Sequence, residues 1–343
     1  AAFTPLGGWL AAQARAISAS PYGQFFVFVV LLGAIHGLLS FPLDAYSGYV
    51  LEHRFGLSNQ SVLRWLQQKG KGLLAGAAMG LPLLVAFFAL LRHSPQWWWF
   101  WFGLVLFLFS VLLTRLAPVM LFPLFYRFSP LDHPELEERL RPLLRRWGLH
   151  LGGLYKFDLS RDTRKANAAL AGLGKTRRII LADTLLQNFN EDEITYVVAH
   201  EVGHHVGGHL WKGILAGTLL TFGGLYVVSQ LYTRYLHAAG IGSPDQLEAL
   251  PVLFLLLGLF STLTTPLSNA LSRRFEFQAD AFAARQLQQT GAAVSALEKL
   301  AELNLADPQP PALVEFWFHS HPSIHRRIRA IQQQAAPSAP AGT

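Results

Sequence analysis

Five stretches of the chain run for 20 residues or more without Asp, Glu, Lys or Arg: 16–43, 72–91, 93–114, 213–233 and 249–272. About 20 apolar residues suffice to cross the hydrocarbon core of a bilayer as a helix. Each window therefore predicts a membrane span. The second is the least apolar of them, because Gly76, Gly80 and Pro82 dilute its face. The third opens on Trp97, Trp98, Trp99 and Trp101, an aromatic cluster of the kind that sits at the membrane–water boundary. Buried helices of a large soluble core are the competing reading. Five such windows in 343 residues argue against it.

The polar remainder has a different rhythm. Residues 134–147 place Leu136, Leu140, Leu143 and Leu144 at helical spacing among charges. Tyr155 to Leu159 and Arg178 to Leu181 read as short strands, with Gly172, Gly174 and Lys175 marking a turn between them. Asp192 is a candidate cap for a helix that starts near Glu193 and continues through Val197, Val198 and His200. The tail 336–343, made of Ala, Pro, Ser, Gly and Thr, is expected to be disordered. No internal repeat is visible. The expected fold class is mainly α: a polytopic membrane helical bundle with a small α/β domain. The expected order is three spans in 1–118, an α/β catalytic segment in 119–212, two spans in 213–272, a catalytic C-terminal segment in 273–335 and the tail.

Composition agrees with a membrane chain. Charged residues make up 14% and hydrophobic residues 52%, against roughly 25% charged in ordinary soluble domains. There is no cysteine, which excludes disulfides, a thiolate nucleophile and a cysteine-ligated metal. The net charge of +7 could indicate nucleic acid, but its distribution points to a bilayer and to no nucleic-acid partner. Of 28 Lys and Arg, only Arg15, Arg92 and Arg234 fall on one side of the five windows. The rest lie on the side of 44–71, 115–212 and the tail, which the positive-inside rule places in the cytoplasm. Residues 1–21 lack the layout of a signal peptide. The chain starts on Ala1 rather than Met, as a processed chain or a fragment would.

The chemistry begins at His200-Glu201-Val202-Gly203-His204, an H-E-x-x-H pattern. Residues four apart share a helix face, so both imidazoles can meet one metal ion. Zn²⁺ takes about four N or O ligands, and a catalytic site leaves one position open. Glu201 follows the first ligand and can serve as the base. A His-rich helix end at the membrane surface is the bland alternative, and His205 with His209 forms a second pair at the same spacing that keeps it open.

A third ligand is required. The helix bearing His200 and His204 runs into the fourth window, and the fifth window returns the chain to the same side just before Glu276. All three groups can then sit at one depth. Asp280, four residues on, could hydrogen-bond a ligand histidine and fix its tautomer. The alternative is an ordinary charged helix start, with Glu276 paired to Arg273 or Arg274. His319, His321 and His325 sit close together in a basic tail, whose default reading is a solvated cluster.

With these residues in hand the chain resembles the type I CAAX prenyl endopeptidases. The resemblance rests on His-Glu-Val-Gly-His at 200–204, on Arg273-Arg274-Phe275-Glu276-Phe277-Gln278-Ala279-Asp280, on Ser320-His321-Pro322 with Arg327-Ile328, and on Asn167-Ala168 ahead of Ile179 to Leu186. The loop Glu52 to Gln60 is also similar and sets the chain apart from the shorter heat-shock membrane metalloproteases. The resemblance covers roughly residues 24–332. It implies that the small α/β domain is a gluzincin-like zinc metallopeptidase domain, with one zinc per chain held by His200, His204 and Glu276 and with Asp280 behind them. It implies that His321 and Arg327 stand with Glu201 at the catalytic centre, His321 as oxyanion donor. It implies that Asn167 and Ala168 bind substrate beside an edge strand. That family typically has seven spans, two of them further towards the N-terminus, so five spans imply a truncated or naturally short chain, which puts the family's closed intramembrane chamber in question and leaves the zinc site as expected.

The function expected is a zinc-dependent membrane endopeptidase acting on peptide or protein substrates, prenylated C-terminal peptides by resemblance. Quality control of membrane proteins by the same chemistry is the alternative. A dead scaffold or a metal transporter is a third reading. A transporter should carry charges inside its spans, which here hold little beyond His36, and a dead scaffold has no need of Glu201.

Overall fold

A computed structural model describes residues 5–149, 153–171 and 177–335. The turn expected at 172–175 and the tail at 336–343 lie outside the described residues. Each of the five apolar windows is helical over most of its length, in Pro21–Arg54, Val62–His93, Trp98–Phe125, His209–Ala238 and Leu250–Leu287. Each helix outruns its window, because helix propensity continues into polar sequence where hydropathy stops. A further helix, Pro5–Ile17, precedes them. The first and third are not α-helical throughout. Wider π turns occur at Tyr46–Leu51 and Ala117–Leu121, each within four residues of a proline, Pro42 or Pro118. A proline has no N–H to give the ladder, so the backbone resettles nearby.

The chain divides into two compact units. One takes the residues up to Leu51, with Leu66–Leu112 and Leu215–Thr264. It is helical, and its core is aromatic and leucine-rich: Phe25, Phe28, Phe87, Phe88, Trp98, Tyr232 and Leu250 are buried. Phe25 stacks on Phe88 with centroids 4.3 Å apart. Its outward leucines face no protein, as expected of surface that lipid covers.

The second unit takes Glu52–Trp65, Leu113–Ile214 and everything from Thr265. It holds a four-stranded sheet of β1 (Phe128–Pro130), β2 (Leu154–Phe157), β3 (Ala168–Ala171) and β4 (Arg178–Ala182), in the order β1-β2-β4-β3. β2 and β4 run parallel, and β3 pairs antiparallel to β4 at the edge, with Ala168 opposite Leu181. The helix Pro134–Arg146 buries Leu136, Leu140 and Leu144 against this sheet's core, which includes Ile179, Leu181 and Leu185. Both expected strands and the helix are present within a residue or two. β1 and β3 were not anticipated.

The helix Glu191–Val206 carries the H-E-x-x-H motif. Its cap is Asn190 rather than Asp192. The Asn190 side chain accepts from Glu193 N (3.0 Å), and Glu193 Oε2 accepts from Asn190 N (2.8 Å). This reciprocal pair satisfies two backbone donors at once, whereas Asp192 lies already inside the first turn. Glu193 is buried, which by itself would raise its pKa. Lys299, Ser295 and the Asn190 backbone hydrogen-bond its carboxylate and hold it below the usual range.

This helix packs on Leu250–Leu287, a single 38-residue helix that runs from the fifth window through Glu276 and Asp280. A Cβ placed on Gly203 would lie 2.9 Å from Ala279 Cα and 3.0 Å from Ala279 O. The two helices therefore touch backbone to backbone, and only hydrogen fits between them. Gly203→Ala is expected to destabilise the protein by about 1–3 kcal/mol and to lower its metal content. Thermal unfolding and elemental analysis of the same detergent-purified sample would check this. Wild-type values of both would show that the helices can part without consequence.

Candidate metal centre and active site

Close packing at Gly203 brings three ligand atoms together. His200 Nε2 lies 3.1 Å from His204 Nε2 and 3.4 Å from Glu276 Oε2, and His204 Nε2 lies 3.2 Å from Glu276 Oε1. Tetrahedral bonds of about 2.1 Å put neighbouring ligand atoms about 3.4 Å apart. The three residues thus form a group that could hold a metal ion. Glu276 has Arg327 Nη1 at 3.7 Å and is not taken up by Arg273. Arg273 instead donates to the carbonyl oxygens of Glu315 (3.0 Å) and His319 (2.7 Å). Glu276 Oε2 is buried and makes no well-formed hydrogen bond; its nearest charged neighbours are His200 Nε2 at 3.4 Å and Arg327 Nη1 at 3.7 Å, so a metal ion could still complete its surroundings.

The tautomers fit the same purpose. His200 Nδ1 donates to Asp280 Oδ1 at 2.8 Å, which leaves the Nε2 lone pair facing Glu276 and His204. Burial works against charge on His200, yet its hydrogen bonds to Asp280 and Glu276 outweigh burial and carry its pKa up to about 9. The pocket strongly favours positive charge at that point. Asp280 is itself saturated. Its Oδ1 also accepts from Tyr196 Oη (2.9 Å) and Arg327 Nη2 (2.7 Å), and its Oδ2 accepts from Arg327 Nε (2.7 Å). Burial and the neighbouring Asp280 charge push the Tyr196 phenol well above its usual pKa, so it remains a donor.

Behind His204 runs a second relay that the sequence did not announce. His209 Nδ1 lies 3.1 Å from His204 Nδ1, and His209 Nε2 lies 2.9 Å from Gln278 Oε1. An amide oxygen only accepts, so His209 carries its proton on Nε2 and accepts from His204 at Nδ1. His204 then presents Nε2 to the cluster. Gly207 and Gly208 make this possible. Gly208 takes φ +64°, and a Cβ on Gly207 would stand 2.3 Å from His209 Nε2. The second histidine pair thus splits: His209 supports His204, while His205 is held neutral-leaning by burial and by Arg177.

The remaining expected residues line one cavity of about 660 Å³, with Asn167, Ala168, Glu201, His321 and Arg327 on its wall together with His200 and Glu276. Glu201 has its carboxyl pushed up by burial, opposed by His200 and His204 and reinforced by Glu276. The backbone of Leu170 on β3 hydrogen-bonds it. His321 is 64% exposed in its side chain, with Nε2 3.3 Å from Glu276 Oε1 and Nδ1 3.0 Å from Ser320 Oγ. The tail histidines therefore do not act as one cluster, since His325 turns to Arg329. Arg327 is buried at the cavity wall, where its guanidinium is held by Asp280 and lies 3.7 Å from Glu276 Oε2. Asn167 is exposed just before β3 and fixes its own backbone by accepting from Ala182 N (2.9 Å). The loop 52–60 braces this region. Arg64 grips Asp162 through two hydrogen bonds (2.9 and 3.1 Å), Asn59 donates to Ser160 O (2.7 Å), and Arg164 N donates to Leu57 O (2.9 Å).

A carboxylate, Glu201, on the cavity wall beside such a cluster, in a chain with five membrane spans, defines a class: integral-membrane metallopeptidases. Residues 130–335 match peptidase family M48, and residues 2–127 match the CAAX prenyl protease N-terminal region of five membrane helices. An uncharacterized metalloprotease of Bacillus subtilis, YhfN, is 32% identical over 90% of this chain and 74% of its own length. CAAX prenyl protease 1 of Saccharomyces cerevisiae is 31% identical over 91% of this chain and 73% of its own. The crystal structure of S. mikatae Ste24p superposes with a TM-score of 0.81 at 28% identity, over 90% of this chain and 75% of that one. The chain belongs to peptidase family M48, and it is a metalloendopeptidase of the membrane.

The relay behind His204 generates a test. His209→Ala removes the acceptor that sets the His204 tautomer, and loss of such a partner costs about 10–100-fold in metal affinity. Metal retention titrated against a chelator should show that drop. Unchanged retention would reduce His209 to packing.

Proposed function

We propose that this protein is a zinc-dependent endopeptidase whose metal is held by His200, His204 and Glu276, with Glu201 as general base. The convergence of those three ligands, Glu201 and the end of an edge strand on one cavity carries the reading. Two imidazoles and one carboxylate are a zinc donor set with a position left for substrate. A zinc ion there supplies Lewis acidity to the scissile carbonyl and the attacking water.

The protein's own groups do the rest. Glu201 takes the proton of the attacking water and delivers it to the leaving amine. Its raised pKa suits both halves of that exchange. His321, exposed on the far side of Glu276, donates to the carbonyl oxygen as it turns negative. β3 has an open edge, and an extended peptide can add to it through main-chain hydrogen bonds. Asn167 and Ala168 stand where that peptide would start. Asp280, held by Arg327 and Tyr196, keeps the His200 ring in register. Arg327 is thus a positioning residue that acts through Asp280.

The substrates we assign are peptides bearing a lipid, prenylated C-terminal peptides in particular. The names of the relatives motivate that class, and the spans give a lipid anchor a route. Purified protein should contain one zinc per chain and cleave a farnesylated peptide faster than its unmodified counterpart. Equal rates would favour a quality-control role. Glu201→Gln should keep its zinc and lose at least about 10²-fold in kcat. His321→Ala should keep zinc and lose about 10²–10³-fold. Near wild-type cleavage by Glu201→Gln at full zinc content would overturn the assignment of the base.

We also place the site on the cytoplasmic side, from the skew of Lys and Arg. Reporters fused at Gly148 and Gly240 should report opposite sides, with Gly148 cytoplasmic. The reverse result would overturn the orientation and leave the chemistry intact.

A further inference from the structure

The short helix Ala312–Phe318 plays no part in the chemistry above, yet it shows apolar surface on most of its circumference. Glu315 is its inward side. Leu313 (74% exposed), Val314, Phe316 (48%) and Phe318 (77%) cover the rest, an arc of roughly 200° at about 100° per residue. Water is a poor neighbour for two phenylalanines and a leucine on seven residues.

The helix is also tied to a membrane-spanning helix at its exit. Asn269 Nδ2 donates to Trp317 O (2.8 Å), and Arg273 donates to the carbonyl oxygens of Glu315 and His319. Outward leucines on the spanning helix recur at Leu255, Leu259, Leu263 and Leu267 and then stop. Arg273 lies six residues past Leu267, about 9 Å further along the axis. That is on the scale of the headgroup layer, which adds about 5–7 Å to each side of the hydrocarbon.

Beside the short helix lies a cavity of about 510 Å³ lined by Arg273, Phe316, His325, Arg326, Arg329 and Glu315. It holds three guanidinium groups against one carboxylate, and Arg326 already pairs with Glu315. The cavity therefore keeps a net positive charge. Arginine forks match the planar oxygen pairs of a phosphate.

We propose that residues 312–318 lie in the membrane interface, with the adjoining arginine cavity holding the phosphate of an anionic phospholipid. Phe316 and Phe318 enter the boundary between acyl chains and headgroups. Arg273, at the end of the span, and Arg326 and Arg329, on Ile324–Ala335, meet the lipid phosphate. The same Arg273 fixes His319 O, two residues before His321, so a bound lipid would steady the strand of chain that enters the active-site cavity.

The chain has no cysteine, so a single thiol can be introduced without background. Phe316→Cys and Leu313→Cys, made separately and labelled with an environment-sensitive fluorophore, would be reconstituted in vesicles of phosphatidylcholine with phosphatidylglycerol. A label at Glu302, exposed on a neighbouring helix, serves as the aqueous control. The expected result is blue-shifted emission, quenching by lipids spin-labelled near the headgroup, and protection from aqueous iodide, at either position. Native mass spectrometry of the whole protein should show retained phosphatidylglycerol, with affinity about fivefold lower in Arg329→Gln. Free access of iodide at both positions would overturn the proposal. So would shielding that arises only on adding a peptide substrate, which would make the face a substrate contact. Displacement of the lipid by millimolar inorganic phosphate alone would mark the cavity as a general anion site and also overturn it.

Discussion

One carboxylate, Asp280, holds the catalytic unit together. It is buried and accepts four hydrogen bonds, from Tyr196, His200 and twice from Arg327. The donors come from two other helices: Tyr196 and His200 from the H-E-x-x-H helix, and Arg327 from the C-terminal helix Ile324–Ala335. A buried charge of this kind is costly unless its geometry and hydrogen bonds are complete. Here they are complete, and the cost is turned into specificity. Only one arrangement of the three helices satisfies Asp280, Arg327 and His200 together. That arrangement also sets the lone pair of His200 against Glu276.

Seen from Asp280, the two candidate metal-binding histidines are supported by unlike means. His200 rests on a carboxylate, and His204 rests on a neutral imidazole backed by an amide. A carboxylate partner makes a ligand imidazole more basic and more tightly bound. A neutral relay fixes orientation with little added charge. The site thus has one electrostatically reinforced imidazole and one that is aimed.

Much of this was legible in the sequence, and the reasons differ by element. The spans could be read because lipid demands long uncharged runs, and nothing else in a chain of this size does. Glu276 could be read from topology, since two successive spans return the chain to one face. Asp280 followed from its spacing of one turn. β3 could not be read, because Ala168-Ala-Leu-Ala has neither alternation nor branched residues, and its strand character comes from β4 beside it. His209 was hidden because Gly207 and Gly208 break the helix, which turns the ring back along a path that no periodicity describes. Asp192 competed with Asn190 as a cap, and the reciprocal partner at Glu193 decided between them.

The contact at Gly203 has a consequence for how the ligands keep their spacing. Side chains in most helix pairs act as a compressible gasket, and repacking them moves the axes. Between Gly203 and Ala279 there is no gasket, only main chain against main chain. The separation of His200 and His204 from Glu276 is therefore gauged by covalent backbone dimensions. Drift in the surrounding core, by heat or by substitution at positions such as Leu140, can loosen the protein around the ligands before it changes the bite they offer.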